Sequence, residues 1–200
     1  MDLIEVNGKR LLPELAIVGN IGADPAGGVS RLAFTPPDMT ARSWFIDQAE
    51  KAALTVSIDA VGNVLALEKD AGNGSPLLSG SHLDTVPNGG RFDGMLGVIA
   101  ALESIRSIRE QVGTTNRRPL GVLVLAAEES SRFGSGCLGS RMIIQDLQPQ
   151  DLRTLTDAQG IPLFQAMKKV GLQPDRLLEA GRTPGWFHEF VEIHIDQADD

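Results

Sequence analysis

The stretch that decides the fold of this chain is Gly80-Ser-His-Leu-Asp-Thr-Val-Pro-Asn-Gly-Gly-Arg-Phe-Asp-Gly-Met-Leu-Gly97. The apolar pair Leu77-Leu78 leads into it, and apolar residues at helical spacing from Val98 to Ile108 lead out of it. The stretch itself contains one histidine, two carboxylates and five glycines, with a proline among them. This composition is unsuited to a hydrophobic core. It is typical of a rigid loop that presents metal ligands at the end of a buried strand.

Size, composition and charge exclude several classes of protein. At 200 residues, with 42% hydrophobic and 22% charged residues, the chain has the composition of one globular domain or a part of one. The formal net charge of −8 argues against nucleic acids and anionic membranes, which need basic surfaces. No apolar run approaches the ~20 residues of a membrane span, and the N-terminus lacks a signal-peptide pattern. The single cysteine, Cys137, excludes an internal disulfide and predicts a reducing, cytoplasmic location.

The first third of the chain carries helix and hairpin signals. A short helix is expected around Leu11–Ile17. A longer helix is expected to begin after Thr35, with two prolines in its first turn and Asp38 at the capping-box position. Residues 54–58 alternate like a strand, and residues 64–67 indicate the returning strand after a turn. The region therefore predicts two helices followed by two strands.

Two later segments resemble strands that end in polar residues. Residues 120–127 form a near-continuous apolar run, as expected of a strand covered on both faces, and Glu128-Glu129 follow directly. The alternating residues 191–196 predict a last strand that carries His194. Alternating strands and helices predict an α/β sandwich with a largely parallel sheet, in which ligands bind beyond the carboxyl ends of the strands. We therefore expect His82, the glutamate pair and His194 to meet at that edge.

The residue types suit a hydrolytic metal centre, which needs neutral imidazole and carboxylate ligands fixed by surrounding hydrogen bonds. His82 and Asp84 lie two apart on an extended segment and project to the same side, so that Asp84 can accept the second N–H of His82. Asp93, in a glycine-flanked turn, can bridge two ions ~3.5–4 Å apart. Burying Glu128-Glu129 as two anions would be costly without cations nearby.

Each of these residues also has a purely structural interpretation. A histidine such as His82 or His194 is, alone, more often a packing residue, an aspartate before glycine is an ordinary turn or cap, and two glutamates are usually solvated surface. His188 is interpreted as surface or packing, and Cys137 as a small buried residue rather than a nucleophile. The metal-site interpretation is preferred because the structural alternative needs a separate explanation for each of these residues, all of which lie at or near strand ends.

Several motifs closely resemble the M20 metallopeptidase-like amidohydrolases, in particular the branch of N-carbamoyl-L-amino-acid hydrolases, allantoate amidohydrolases and β-ureidopropionases. The resemblance spans from about residue 30 to the end. The motifs are residues 80–97, 128–134, 138–141 and 192–197, and residues 35–39 and 59–63 match the same branch. The resemblance implies a three-layer α/β/α sandwich of the zinc-exopeptidase type.

Carried over residue by residue, the resemblance implies a site for two divalent metal ions. The mixed oxygen and nitrogen ligands suit zinc, manganese or cobalt. His82, Asp93 and His194 would hold one ion. Asp93 and Glu129 would hold the second, together with a histidine from near the family's C-terminus.

The resemblance also implies the remaining roles and the reaction. Glu128 would be the general base, Asp84 the partner that orients the first histidine, and Gln197 a substrate contact. The implied enzyme is a metal-dependent amidohydrolase of linear amide or ureido C–N bonds, on N-carbamoyl amino acid, allantoate or ureidopropionate substrates. The alternatives are an M20 aminopeptidase or aminoacylase, which His194 disfavours, and a non-catalytic metal-binding remnant.

Members of this family are roughly twice as long and carry a lid and dimerisation domain inserted after the histidine strand. Residues 1–200 are therefore expected to be the N-terminal portion of the catalytic domain, with an incomplete second metal site and no activity alone. The expected partner is a small-molecule ureido or amide substrate. Full-length members are expected to be homodimers, without nucleic-acid or membrane partners.

Overall fold

The computed structural model describes residues 3–25, 27–69 and 73–196. None of the helices in these ranges combines the length and apolar character needed to cross a membrane. The helices are α1 (Gly8–Gly19), α2 (Pro36–Lys51), α3 (Met95–Gln111), α4 (Leu138–Ile143), α5 (Asp151–Thr154) and α6 (Leu163–Lys169), and a 3₁₀ helix covers Pro174–Ala180. The strands are β1 (Leu54–Ile58), β2 (Val64–Glu68), β3 (Leu77–His82), β4 (Leu120–Leu125) and β5 (Glu189–Val191).

The five strands form one mixed sheet in the order β1-β2-β4-β3-β5. β3 runs parallel to both β4 and β5, whereas β2 is antiparallel to β1 and to β4. The expectation of a largely parallel sheet is therefore wrong for the β1–β2 side. The physical reason is the tight turn at residues 59–63, because a connection of that length joins only antiparallel strands. The parallel pair β3–β4 is joined through α3, as a parallel crossover requires.

Helices cover both faces of the sheet, which confirms the predicted three-layer α/β/α sandwich. Alternate residues of β2 and β4 point to opposite faces, as the strand period requires. Val64, Ala66, Val122 and Val124 pack in the core with α1, α2 and α3. On the other face, the core residues Leu78 and Leu123 pack with Ile143 of α4. Partly buried side chains from β2, β4, β5 and the segment before β5 pack against them, namely Leu65, Leu67, Leu125, Trp186, Phe187 and Phe190.

The start of α2 differs from the expected capping box. The helix begins at Pro36 after an extended Thr35, as predicted, but the Thr35 side chain makes no capping hydrogen bond. Its hydroxyl donates instead to the Leu32 carbonyl, 2.6 Å away. Asp38 accepts the Phe34 N–H at 2.7 Å and forms a buried ion pair with Arg42 at 2.9 Å. Asp38 therefore joins the helix to the preceding loop and to a buried cation.

The last strand is not at the predicted residues 191–196: β5 covers Glu189–Val191, shares only Val191 with that prediction, and pairs with β3 over three residues. Side chains of β3 hold the chain beyond that point. The Ser79 hydroxyl donates to the Val191 carbonyl at 2.6 Å, and the Ser81 hydroxyl donates to the Glu192 carboxylate at 2.5 Å. A Cβ at Gly97 would collide with the Ile193 carbonyl, so the segment lies directly against α3. His194 therefore follows a strand instead of lying within one.

Candidate metal centre

The structure brings the predicted ligands together beyond the carboxyl ends of the three parallel strands. His82 ends β3, Asp93 lies just before α3, Glu128-Glu129 follow β4, and His194 follows β5. Two groups have ligand atoms that all lie within 4.8 Å of one another, and they share His82. One group is His82, Asp93 and His194; the other is His82, Glu128 and Glu129. The candidate ligands therefore lie at the edge of the sheet that the motif positions predicted.

Asp93 lies at the centre of this arrangement. Its side chain is 1% exposed, and its Oδ1 is 3.8 Å from Nε2 of His82 and 3.5 Å from Nε2 of His194. Neither carboxylate oxygen accepts a hydrogen bond from the residues that the structure describes. A buried carboxylate without hydrogen-bond partners carries a large desolvation cost. A cation, or a proton shared with a neighbouring group, would remove that cost.

The two imidazoles are oriented so that each presents a lone pair to the same point. Nδ1 of His82 lies 2.8 Å from the Asp84 carbonyl oxygen, and Nδ1 of His194 lies 3.1 Å from the Ile195 carbonyl oxygen. A carbonyl oxygen only accepts, so each Nδ1 carries the proton and each Nε2 is unprotonated in the neutral ring. The two Nε2 atoms are 3.3 Å apart. Two facing lone pairs beside an unpartnered carboxylate form a donor set that fits a divalent cation.

Gly94 permits the close approach of α3 to this donor set. Its φ of +61° favours glycine, and a Cβ at this position would overlap the His82 ring. α3 begins immediately afterwards, at Met95, with no side-chain cap. The Asp93-Gly94 pair is therefore a helix start in which glycine leaves room for the imidazole.

Asp84 orients His82 differently from the sequence expectation. The His82 Nδ1–H donates to the main-chain carbonyl of Asp84, whereas the Asp84 carboxylate lies 3.8 Å from that nitrogen. The carboxylate oxygens accept the main-chain N–H groups of Glu128, at 3.2 Å, and Glu129, at 3.0 Å. Asp84 therefore links the turn after β3 to the segment after β4, and fixes both glutamates relative to His82.

Glu129 has a strongly perturbed proton affinity. Burial and the nearby carboxylates, first Asp93 and then Glu128 and Asp84, together raise the pKa of Glu129 to about 8. Burial and then Asp38 raise the pKa of Asp84 to about 6. Carboxyl groups clustered in this way stay ionised at neutral pH only when positive charge lies nearby, and a bound cation supplies that charge.

Glu128 is a partly exposed carboxylate beside His82. Its side chain is 34% exposed, and its Oε2 lies 3.7 Å from Nε2 of His82. Its Oε1 accepts a hydrogen bond from the Cys137 thiol, with the sulfur 3.3 Å away. The prediction that Cys137 is buried is wrong, because the residue is exposed. It lies immediately before α4, with a positive φ of 55°, at the edge of the site.

A buried amide, Asn63, holds the segment that leads to the glutamates. Its Oδ1 accepts the Ala126 N–H at 2.9 Å, and its Nδ2 donates to Asp59 at 2.8 Å and to the Gly139 carbonyl at 3.2 Å. The sequence motif at residues 59–63 pointed to the family but gave Asn63 no role. The signal available was an asparagine in a turn, which is usually only a turn residue.

Two remaining predictions have different outcomes. His188 is exposed and joins neither candidate ligand group. Gln197, expected to contact substrate, lies outside the residues that the structure describes.

The comparisons with known proteins agree with this fold. Residues 63–167 match the model of peptidase family M28. The chain is 40% identical to an N-carbamoyl-L-amino acid amidohydrolase of Geobacillus stearothermophilus, over 96% of this chain and 47% of that protein. It is 37% identical to the allantoate amidohydrolase of Escherichia coli, over 94% and 45%. A hydantoinase/carbamoylase family amidase from Burkholderia ambifaria superposes with a TM-score of 0.87 at 39% identity, over 98% of this chain and 47% of that one.

These matches define a class of α/β protein with the zinc-exopeptidase type of fold. The chain belongs to peptidase family M28. The sequence motifs predicted an M20-like amidohydrolase of the branch that contains N-carbamoyl-L-amino-acid and allantoate hydrolases. The names of the relatives and the solved hydantoinase/carbamoylase structure confirm that branch. The chain spans about half the length of the curated relatives that it matches.

Proposed function

We propose that this chain supplies most of the ligands of the dinuclear metal centre of a hydrolase that cleaves linear amide or ureido C–N bonds. The observation that carries the proposal is the Asp93 carboxylate, which is buried without a hydrogen-bond partner among the described residues and faces two imidazole nitrogens. The names of the relatives, which include N-carbamoyl-L-amino acid and allantoate amidohydrolases, support the substrate class. Residues 1–200 would be part of the catalytic domain, and the proposed activity is that of a protein about twice this length.

The proposed ligands divide into two sets that share Asp93. His82 and His194 would hold one ion with Asp93, since their unprotonated Nε2 atoms face it. Glu129 would hold the second ion with Asp93, because the nearby Asp93 carboxylate is among the causes that raise the pKa of Glu129. Cations at these positions would polarise the scissile carbonyl and lower the pKa of the attacking water. Zinc, manganese and cobalt all suit mixed imidazole and carboxylate ligands.

The chain's own residues would then carry the proton. Glu128 is proposed as the general base because it is a partly exposed carboxylate beside His82 that the proposed ligand sets leave free to carry a proton. It would take a proton from the attacking water and return it to the leaving nitrogen. Asp84 would act as a positioning residue, because its carboxylate fixes the main chain of both glutamates.

The direct test of the metal centre is binding of Zn²⁺, Mn²⁺ and Co²⁺ to the 200-residue chain by calorimetry. Wild type is expected to bind Zn²⁺, and His82→Ala and Asp93→Asn are expected to lose at least tenfold in affinity. His188→Ala is the matched control, since that histidine is exposed and joins neither ligand group. Equal affinity in wild type and His82→Ala would contradict the proposal.

The reaction class is tested by turnover. The chain would be joined to the remaining half of the 40%-identical Geobacillus enzyme and assayed with N-carbamoyl amino acids, allantoate and ureidopropionate. Hydrolysis that Glu128→Gln abolishes is expected, and the 200-residue chain alone is expected to be inactive. Preference for dipeptides or N-acyl amino acids would favour the aminopeptidase or aminoacylase alternative. Metal binding with no turnover of any of them would indicate a metal-binding remnant.

The same proposal carries expectations about location and assembly. A single cysteine suits a reducing compartment, and we propose a cytoplasmic enzyme. A homodimer is proposed for the longer protein. Light scattering of the joined protein would test the dimer.

A further inference from the structure

Arg31 is one of the largest fully buried side chains in the described residues, with 0% of its surface exposed. Its Nε donates to the Leu83 carbonyl, and its Nη1 donates to the carbonyls of Ile21, at 2.7 Å, and Val18, at 3.1 Å. Val18 lies in the last turn of α1 and Ile21 just beyond it, whereas Leu83 lies between His82 and Asp84. One guanidinium therefore joins the end of α1 to the turn that carries the first proposed ligand.

The main chain around Arg31 pairs with the same loop. The Arg31 N–H donates to the Thr85 hydroxyl, and the Thr85 N–H donates to the Arg31 carbonyl, both at 2.9 Å. Val29 and Gly89 exchange main-chain hydrogen bonds of 3.0 and 2.8 Å. Residues 29–31 thus form a short ladder along residues 85–89. This ladder limits the movement of the glycine-rich loop between His82 and Asp93.

The charge of Arg31 also acts on the site. Burial lowers the pKa of Arg31, and the carboxylates of Asp38, Asp84 and Asp93 oppose that effect because they favour the charged form. The guanidinium donates its hydrogen bonds to main-chain carbonyl oxygens, so it is not tied to one adjacent carboxylate.

We propose that Arg31 is a positioning residue of the metal centre, which fixes the Leu83 carbonyl and thereby the angle at which His82 and Asp84 leave β3. The inference rests on the proposed function, because the residues that Arg31 positions are the proposed ligand and its orienting partner. Arginine suits this role because its planar fork donates in two directions at once, which a lysine ammonium on a flexible stem does not reproduce.

The effect of Arg31 passes through Asp84 to the rest of the site. The Asp84 carbonyl accepts Nδ1–H of His82 and its carboxylate accepts the N–H groups of Glu128 and Glu129. A turn that is no longer held at Leu83 would therefore disturb the imidazole and both glutamates together. The hydrogen bonds of the Glu128 and Glu129 amides report this displacement without any metal.

The test compares Arg31→Lys, which keeps the charge and loses the fork, with wild type. The matched control is Arg106→Lys, because Arg106 is also largely buried and donates to Glu14 at 2.7 Å and to the Gln48 carbonyl at 3.3 Å, away from the site. Three quantities are measured: Co²⁺ affinity, the visible absorption of the Co²⁺-loaded chain, and hydrogen exchange of the Glu128 and Glu129 amides in EDTA.

Arg31→Lys is expected to weaken Co²⁺ binding at least tenfold, to alter the Co²⁺ absorption, and to speed exchange of the two amides at least tenfold. Arg106→Lys is expected to stay within twofold of wild type in each. An Arg31→Lys variant that folds and matches Arg106→Lys in all three would overturn the proposal. If wild type binds no Co²⁺, the proposed function fails, and the amide exchange in EDTA still decides whether Arg31 holds the turn.

A measurement on wild type covers the case in which Arg31→Lys does not fold. The Nε–H of Arg31 is expected to give an NMR signal that exchanges with water at least a hundredfold more slowly than those of exposed arginines such as Arg91. An Arg31 Nε–H that exchanges as fast as Arg91 would overturn the proposal, because the hydrogen bond to Leu83 would then be absent.

Discussion

Replacing Glu129 with glutamine is expected to stabilise the metal-free chain at pH 8 while weakening its binding of divalent cations. Burial and then the neighbouring carboxylates Asp93, Glu128 and Asp84 raise the pKa of Glu129 to about 8. Without a cation, the folded state must therefore keep this carboxyl protonated or accept a repelled charge. The unfolded state has no such restriction. Glutamine removes the charge and keeps nearly the same shape.

The sign and size of the effect follow from linkage. The folded pKa lies above the unfolded value of 4.5, so the folded state binds more protons between these values and its stability falls as pH rises from about 4.5 to about 8. A tenfold change in proton affinity corresponds to about 1.36 kcal/mol, which sets an upper bound of roughly 5 kcal/mol. Solvent screening of a partly exposed side chain reduces this to about 1–2 kcal/mol, or roughly 2–8 °C in Tm for a chain of this size.

The assay is urea unfolding in EDTA at pH 5 and pH 8, followed by calorimetry with Zn²⁺ at pH 7. Glu129→Gln is expected to exceed wild type in stability at pH 8 by about 1–2 kcal/mol, with a smaller difference at pH 5, and to bind Zn²⁺ at least tenfold more weakly. Glu50→Gln, an exposed change on α2, is expected to alter neither quantity. A Glu129→Gln chain less stable than wild type at pH 8 in EDTA would refute the electrostatic reasoning.

Three further changes test how the site is built. Gly94→Ala places a Cβ against the His82 ring at a positive φ, and is expected to lower stability by about 1–3 kcal/mol and Zn²⁺ affinity at least tenfold; a variant equal to wild type in both would contradict the packing. Asn63→Ala removes three side-chain hydrogen bonds and is expected to lower the free energy of unfolding in urea by about 1–3 kcal/mol. A loss below about 0.5 kcal/mol would show that Asn63 does not hold the segment that leads to the glutamates. Ser81→Ala releases the segment before His194 and is expected to broaden the imidazole NMR signals of that residue without changing Tm by more than a few degrees; unchanged line widths would show that the hydroxyl does not hold it.

The elements predicted well from sequence are those with a strong local pattern. β1 occupies the predicted residues 54–58, and α3 contains the predicted helical pattern of residues 98–108, because strand alternation and helical spacing identify such segments directly. The meeting of His82, the glutamate pair and His194 was also predictable, because they lie at or near predicted strand ends and the carboxyl ends of parallel strands meet at one edge. Asp93 was placed with the two histidines only by the family resemblance.

The failures have a common origin in contacts between residues far apart in sequence. Alternation at residues 191–196 resembles a strand, but the approach of Ile193 to Gly97 takes the chain away from the ladder after Val191. The Asp84 carboxylate turns to main-chain amides 44 and 45 residues away instead of to the histidine two residues before it. A buried guanidinium at Arg31 has no local signal at all. Its acceptors are carbonyl groups, which every residue carries.

The most direct test of the account is a crystal of the 200-residue chain soaked in Zn²⁺ and measured on both sides of the zinc absorption edge. The account predicts an anomalous peak about 2.0–2.2 Å from Nε2 of His82, Nε2 of His194 and an Asp93 oxygen. A second, weaker peak is expected between Asp93 and Glu129. A zinc peak elsewhere on the protein, with no peak between the two imidazoles, would contradict the central claim.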